Sequence, residues 1–203
     1  MLQEFLLKNR ALFHLMIISL LVSNVLVGQK SLTANKKINK EVGKLLKDKS
    51  IKTAFEFIDD IENETERNLI TLTEIPAPPF MEADRAEAFK NMFVKAGLVN
   101  VSIDEVGNVI GIRKGTEGGK VVVLDAHLDT VFPEGTDVKV VKKGDTLFAP
   151  GIGDDTRGLS MLLAIFKAMK KANIKTKADV WFVGTVGEEG IGDLRGVKHL
   201  FKD

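Results

Sequence analysis

The chain of 203 residues contains no cysteine. Disulfides, thiolate zinc sites and cysteine nucleophiles are thereby excluded. An excess of either charge is also lacking: 29 Lys and Arg against 28 Asp and Glu leave a net charge of +1. That balance makes no case for nucleic acid or an anionic surface as partner. The lysine-rich stretch Lys36–Lys52 is interrupted by Glu41 and Asp48, and it reads as a solvated helix or linker. Repeats and low-complexity tracts are missing. Histidine is scarce, with three residues, so each can be weighed singly. Long apolar runs come down to one, Ala11–Val27.

What is present fits a soluble globular protein with a core. Apolar residues make up 44% and charged residues 28%, both ordinary values. The apolar run follows Lys8 and Arg10 and contains His14, Ser19, Ser23 and Asn24. It is slightly short for a membrane span, and its basic start predicts a secretory signal peptide over 1–28. An uncleaved anchor is the alternative. The expected location is therefore secreted or periplasmic, with a membrane contact only if that segment is retained. His14 lies inside the run and is set aside as a catalytic candidate. A polar lead-in is expected over 29–52.

Apolar residues at helical spacing (Phe57, Ile58, Ile61, Leu69, Ile70, Leu72) predict one helix over Thr53–Glu74. The segment Ile75–Phe80, reading IPAPPF, ends it, because proline cannot continue a helix. A helix should resume over Glu82–Ala96, with Gly97 at its C-terminal cap. Strands are expected at Val99–Ile103, Asn108–Ile112, Lys120–Ala126 and Ala178–Thr185, and a hairpin around Lys143–Asp145. The apolar Lys120–Ala126 should be buried on both faces. A helix is expected over Leu159–Ala172, and Asp193 as cap of a last helix ending near Phe201. This alternation predicts an α/β fold with a largely parallel sheet.

Three polar clusters follow apolar segments. His127 and Asp129 close VVVLDAHLD, and residues two apart on extended chain point the same way. Asp154 and Asp155 sit in GIGDDTRG, before a helix; either could be a metal ligand or a helix cap. Glu188 and Glu189 follow VWFVGTVG; one could ligate while the other serves as general base, or both could line an exposed acidic turn. Each cluster lies at a strand exit, the ligand-binding edge of open α/β sheets. Together they predict a carboxylate-rich metal site.

These ordered motifs resemble the zinc exopeptidase and deacylase family of carboxypeptidase G, peptidase T, aminoacylase and acetylornithine deacetylase. IPAPPF, the GNVIG at Gly107–Gly111 and APGIGDDTRG give the resemblance a peptidase T-like character. It implies a three-layer α/β/α catalytic domain, here over 53–203, and a substrate that is a small peptide or N-acyl amino acid. It implies two zinc ions, with cobalt or manganese as substitutes. It also assigns roles: His127, Asp154 and Glu189 as ligands, Asp154 bridging with a cis peptide to Asp155. Asp129 becomes the carboxylate steadying His127, and Glu188 the base that takes a proton from the attacking water. The family's two further ligands have no counterpart before Asp203, and His199 reads as a surface or packing residue. The resemblance also implies a second domain, which these 203 residues are not expected to supply, and a homodimer is expected only with it. The expectation is a truncated domain, with an inactive domain or binding module as the alternative.

Overall fold

The computed structural model describes residues 35–202. The expected signal segment lies outside them. No described helix is long and apolar enough to cross a membrane. The chain divides into two compact units, 1–45 and 46–203. The described part of the first is essentially one helix, α1 (Lys36–Leu45), with no buried residue.

In the second unit, the single helix expected over Thr53–Glu74 is two. α2 (Lys49–Asp60) begins where the Asp48 carboxylate accepts the Ser50 and Ile51 amides at 2.8 and 3.4 Å. It stops at Ile61, which also opens α3 (Glu62–Thr73). No glycine or proline marks that joint, so apolar spacing ran through it. α4 (Ala83–Ala96) ends as expected at Gly97, whose φ of 82° is left-handed.

The strands β1 (Val101–Ile103), β2 (Val109–Arg113), β3 (Val121–His127) and β6 (Asp179–Thr185) form one sheet in the order β1-β2-β6-β3. A separate hairpin joins β4 (Val141–Lys143) to β5 (Thr146–Phe148). The α/β class is as expected, but the sheet is mixed. β3 and β6 are parallel; β1–β2 and β2–β6 are antiparallel. A tight turn links β1 to β2 and forces that pair to run antiparallel. β3 also departs from its expected burial on both faces. Within the described sheet it is an edge strand, and Val121 and Val122 stay exposed while Ala126 and His127 are buried. The strand covered along its length is β6.

The crossover from β3 to β6 passes through α5 (Arg157–Lys171), which buries Leu159, Leu162, Leu163 and Phe166 on one stripe. That stripe shares a core with Phe89 and Phe93 of α4 and with Val109, Val180 and Phe182 of the sheet. The rings of Phe93, Phe166 and Phe182 meet at centroid distances of 5.6 to 6.3 Å, the two involving Phe166 near edge-to-face. The described residues thus supply two of the three layers that the resemblance implies, the sheet and one helical layer. A short helix, α6 (Arg195–Leu200), closes the described chain. Asp193 does not cap it; its φ is 52°, and it pairs instead with Lys198 at 2.8 Å.

Candidate metal centre

Parallel register brings the first and third clusters together. His127 is the Cα partner of Thr185, so Asp129 and the Glu188–Glu189 pair leave the sheet side by side. The bent segment Ile152–Thr156, just ahead of α5, delivers the second cluster to the same edge. The result is one group: ligating atoms of His127, Asp154 and Glu189 all lie within 4.8 Å of one another. The Asp154–Asp155 peptide is cis.

The buried His127 ring is held at both nitrogens. Nε2 meets Asp154 Oδ1 at 2.8 Å, and Nδ1 meets the main-chain carbonyl of Asp129 at 2.9 Å. A carbonyl only accepts, so Nδ1 carries the proton and Nε2 faces the cluster. Sequence reasoning gave the holding role to the Asp129 carboxylate, which is 3.8 Å from Nδ1. That carboxylate, fully buried, instead accepts the Glu188 amide at 3.0 Å and the Glu189 amide at 2.8 Å. Asp129 therefore fixes the imidazole with its backbone and the Glu–Glu turn with its side chain. Gly187, at φ 64° and pressed against the Arg195 side chain, makes the turn that allows this.

The clusters also resolve into different jobs. Asp155 takes the capping role: its Oδ1 accepts the Gly158 amide at 3.0 Å in the first turn of α5, and Oδ2 accepts the His127 amide at 3.3 Å. Asp154 projects toward solvent, with its side chain 79% exposed. Glu188 is exposed, with Oε2 4.0 Å from His127 Nε2.

Crowding of acids shows in their proton affinities. Burial, then the charge of Asp154, pushes the Glu189 carboxyl above its ordinary range. Burial likewise raises Asp155. Burial pulls the His127 imidazolium down, but the Asp154 hydrogen bond and the charges of Asp129 and Asp155 outweigh it, and the net shift is upward. Acids that repel one another and hold a histidine proton close are what a bound cation would relieve. The donor set of one imidazole and two carboxylates suits a divalent ion of the zinc type. The residues present fit the group.

Three residues that support this edge were not singled out from sequence. Arg85, 1% exposed, donates from Nη1 to the Leu128 carbonyl at 2.6 Å and from Nε to the Ile75 carbonyl at 3.0 Å. Its spacing with Phe89 and Phe93, on the apolar stripe of α4, was the available signal. Asn108, fully buried, accepts the Val186 amide at 3.1 Å and donates to Asp104 Oδ2 and the Gly196 carbonyl. It lies in the GNVIG segment. Glu82, 4% exposed, pairs with Arg195 at 2.7 Å, and that guanidinium sits 4.5 Å from the Phe80 ring centroid.

The clamp on the Glu–Glu turn gives a direct expectation. Asp129→Asn keeps the backbone carbonyl that holds His127 but loses the charge that receives two amides. Hydrogen bonds to charged groups contribute about 1.5–3 kcal/mol. Amide exchange at Glu188 and Glu189 should accelerate by roughly tenfold or more, measured by hydrogen–deuterium exchange, while the core of β6 keeps its protection.

Fold and site together define an α/β domain carrying a candidate metal-ligand cluster near its strand exits. Residues 123–203 match the model of peptidase family M20/M25/M40, so this part of the chain is similar to a domain of that family. A protein of Pyrococcus abyssi named as a LysW-lysine/LysW-ornithine hydrolase is 36% identical over 129 residues, 64% of this chain and 34% of the relative. Carboxypeptidase G2 of a Pseudomonas species is 32% identical over 84 residues, 40% of this chain and 20% of the relative. Among solved structures, a tripeptidase from Staphylococcus aureus matches at TM-score 0.57 and 27% identity, covering 70% of this chain and 41% of its own. The yeast dipeptidase Dug1p shares the fold at TM-score 0.60 and 16% identity, covering 74% of this chain and 37% of its own. The chain spans about a third or less of the length of these curated relatives.

Proposed function

We propose that this chain forms part of a hydrolase that cleaves peptide or amide bonds of small peptides or N-acyl amino acids with the help of divalent metal, zinc first. The observation that carries the reading is the convergence of His127, Asp154 and Glu189 within 4.8 Å at the exits of a parallel strand pair. The names of the relatives, a carboxypeptidase and a lysine/ornithine hydrolase among them, support the substrate class.

In this reading His127 Nε2, Asp154 and Glu189 hold the metal. A divalent ion there would supply Lewis acidity, polarising a carbonyl and making water easier to deprotonate. Glu188, not needed as a ligand and 4.0 Å from His127 Nε2, takes the proton from the attacking water and delivers it to the leaving amine. Asp129 holds donor and base in register, its main-chain carbonyl on the His127 ring and its carboxylate on the Glu188 and Glu189 amides. The location we propose is outside the cytoplasm, on the strength of the apolar run behind Lys8 and Arg10.

Calorimetric titration tests the ligand set. Zinc added to the chain is expected to bind weakly and near one equivalent, and His127→Ala to abolish the heat. Unchanged uptake by the His127→Ala variant would overturn the assignment.

A further inference from the structure

α1 carries a pattern that the hydrolytic site does not use. It is described as a regular helix, yet none of its residues is buried. Ile38, Val42, Leu45 and the following Leu46 are exposed by 54, 46, 58 and 55%. At roughly 100° per residue, Ile38, Val42 and Leu45 fall on one narrow arc. Lys36, Lys37, Lys40 and Lys44 fall on the opposite side, with Glu41 at the border between them. In sequence the lysines looked evenly diluted by Glu41; wound into a helix they gather on one face. The balanced charge of the whole chain therefore hides a local basic face beside an apolar one.

We infer that α1 docks on the surface of an anionic lipid bilayer. The apolar arc enters the boundary between headgroups and acyl chains, and the lysines bind the negative headgroups. Charge complementarity selects the occupant. The four lysines of these ten residues attract anionic headgroups, and they reach from a membrane interface to water at little cost. Position in the chain agrees. Residues 28–35 alone separate α1 from the apolar run Ala11–Val27. The catalytic reading is independent of this one, since no ligand of the metal group lies in α1.

The absence of cysteine makes the test clean. Val42→Cys and Lys40→Cys, in the full chain, are each labelled with a polarity-sensitive fluorophore. With vesicles of phosphatidylcholine plus phosphatidylglycerol, the label at 42 is expected to shift to the blue and to escape an aqueous quencher, while the label at 40 stays quenchable. Adding Lys36→Gln, Lys37→Gln and Lys44→Gln to the Val42→Cys chain should lower the partition constant by roughly fivefold per charge removed. An equal response with phosphatidylcholine alone would overturn the inference. So would a label at 42 already shifted before vesicles are added, which would mean that α1 packs on protein. Indifference to the three Gln substitutions, or equal shifts at both labels, would overturn it as well. Both labelled positions are exposed, so neither variant endangers the fold.

Discussion

Glu188→Ala is expected to lower turnover by roughly two to four orders of magnitude while metal content stays unchanged. Glu189→Ala is expected to lower metal content itself. The two residues are adjacent, of one type and held by one carboxylate, so only their direction separates them. Glu189 is half-buried and lies in the ligand group; Glu188 is exposed and outside it. Removing Glu189 opens the metal site and should cost more affinity than the roughly 10- to 100-fold typical of outer-shell partners. Removing Glu188 leaves every proposed ligand in place and takes away only the proton acceptor. Turnover is read on a small peptide or N-acyl amino acid in protein with measurable activity. Metal binding, by calorimetric titration with zinc in excess, can be read on the chain as it stands. Loss of metal in Glu188→Ala would move that residue into the ligand set.

The grouping of His127, Asp154 and Glu189 was legible because these residues sit in short local motifs. His-x-Asp, Asp-Asp and Glu-Glu each keep their spacing whatever the fold does around them, and each follows an apolar segment. The boundaries of α5 and β6 were legible for the same reason: their apolar patterns are long and unbroken. What could not be read depends on partners distant in sequence. The joint at Ile61 carries no breaker. β3 reads as a fully covered strand, yet its cover depends on neighbours that its own residues do not specify. Asp129 reads as a carboxylate beside a histidine; only the register of β3 on β6 shows that its oxygens face the amides of Glu188 and Glu189. The lysines of α1 looked scattered until the helix gathered them. Arg85 bonds to the carbonyls of Ile75 and Leu128, and Asn108 reaches the Val186 amide and the Gly196 carbonyl besides Asp104; a sequence carries no mark of an unpaired backbone group.

Arg85→Met is expected to be the most destabilising single substitution proposed for this fold. The side chain is 1% exposed, and burial lowers its pKa to about 10, against the opposing charges of Asp129 and Glu82. It therefore remains protonated at neutral pH. Its guanidinium donates to the carbonyls of Ile75 and Leu128, which joins the start of the IPAPPF segment to the exit of β3. Methionine fills a similar volume but donates nothing. Two carbonyls would lose their partner, and the buried Asp129 and Glu82 would lose a neighbouring positive charge. Breaking a buried charge arrangement from one side costs about 3–5 kcal/mol. For a domain of this size that corresponds to a fall in Tm of roughly 10 °C. Arg85→Lys should fall between, since an ammonium keeps the charge but cannot reach both carbonyls as a planar fork. Thermal unfolding followed by circular dichroism gives the order wild type, Lys, Met. The consequence reaches the proposed metal site, because Leu128 lies between His127 and Asp129. Well below its own Tm, the Met variant should still bind zinc more weakly than the parent chain. A Met variant within about 1 kcal/mol of the parent would mean that the Ile75 and Leu128 carbonyls find other donors, and that Arg85 is not what anchors the strand exit.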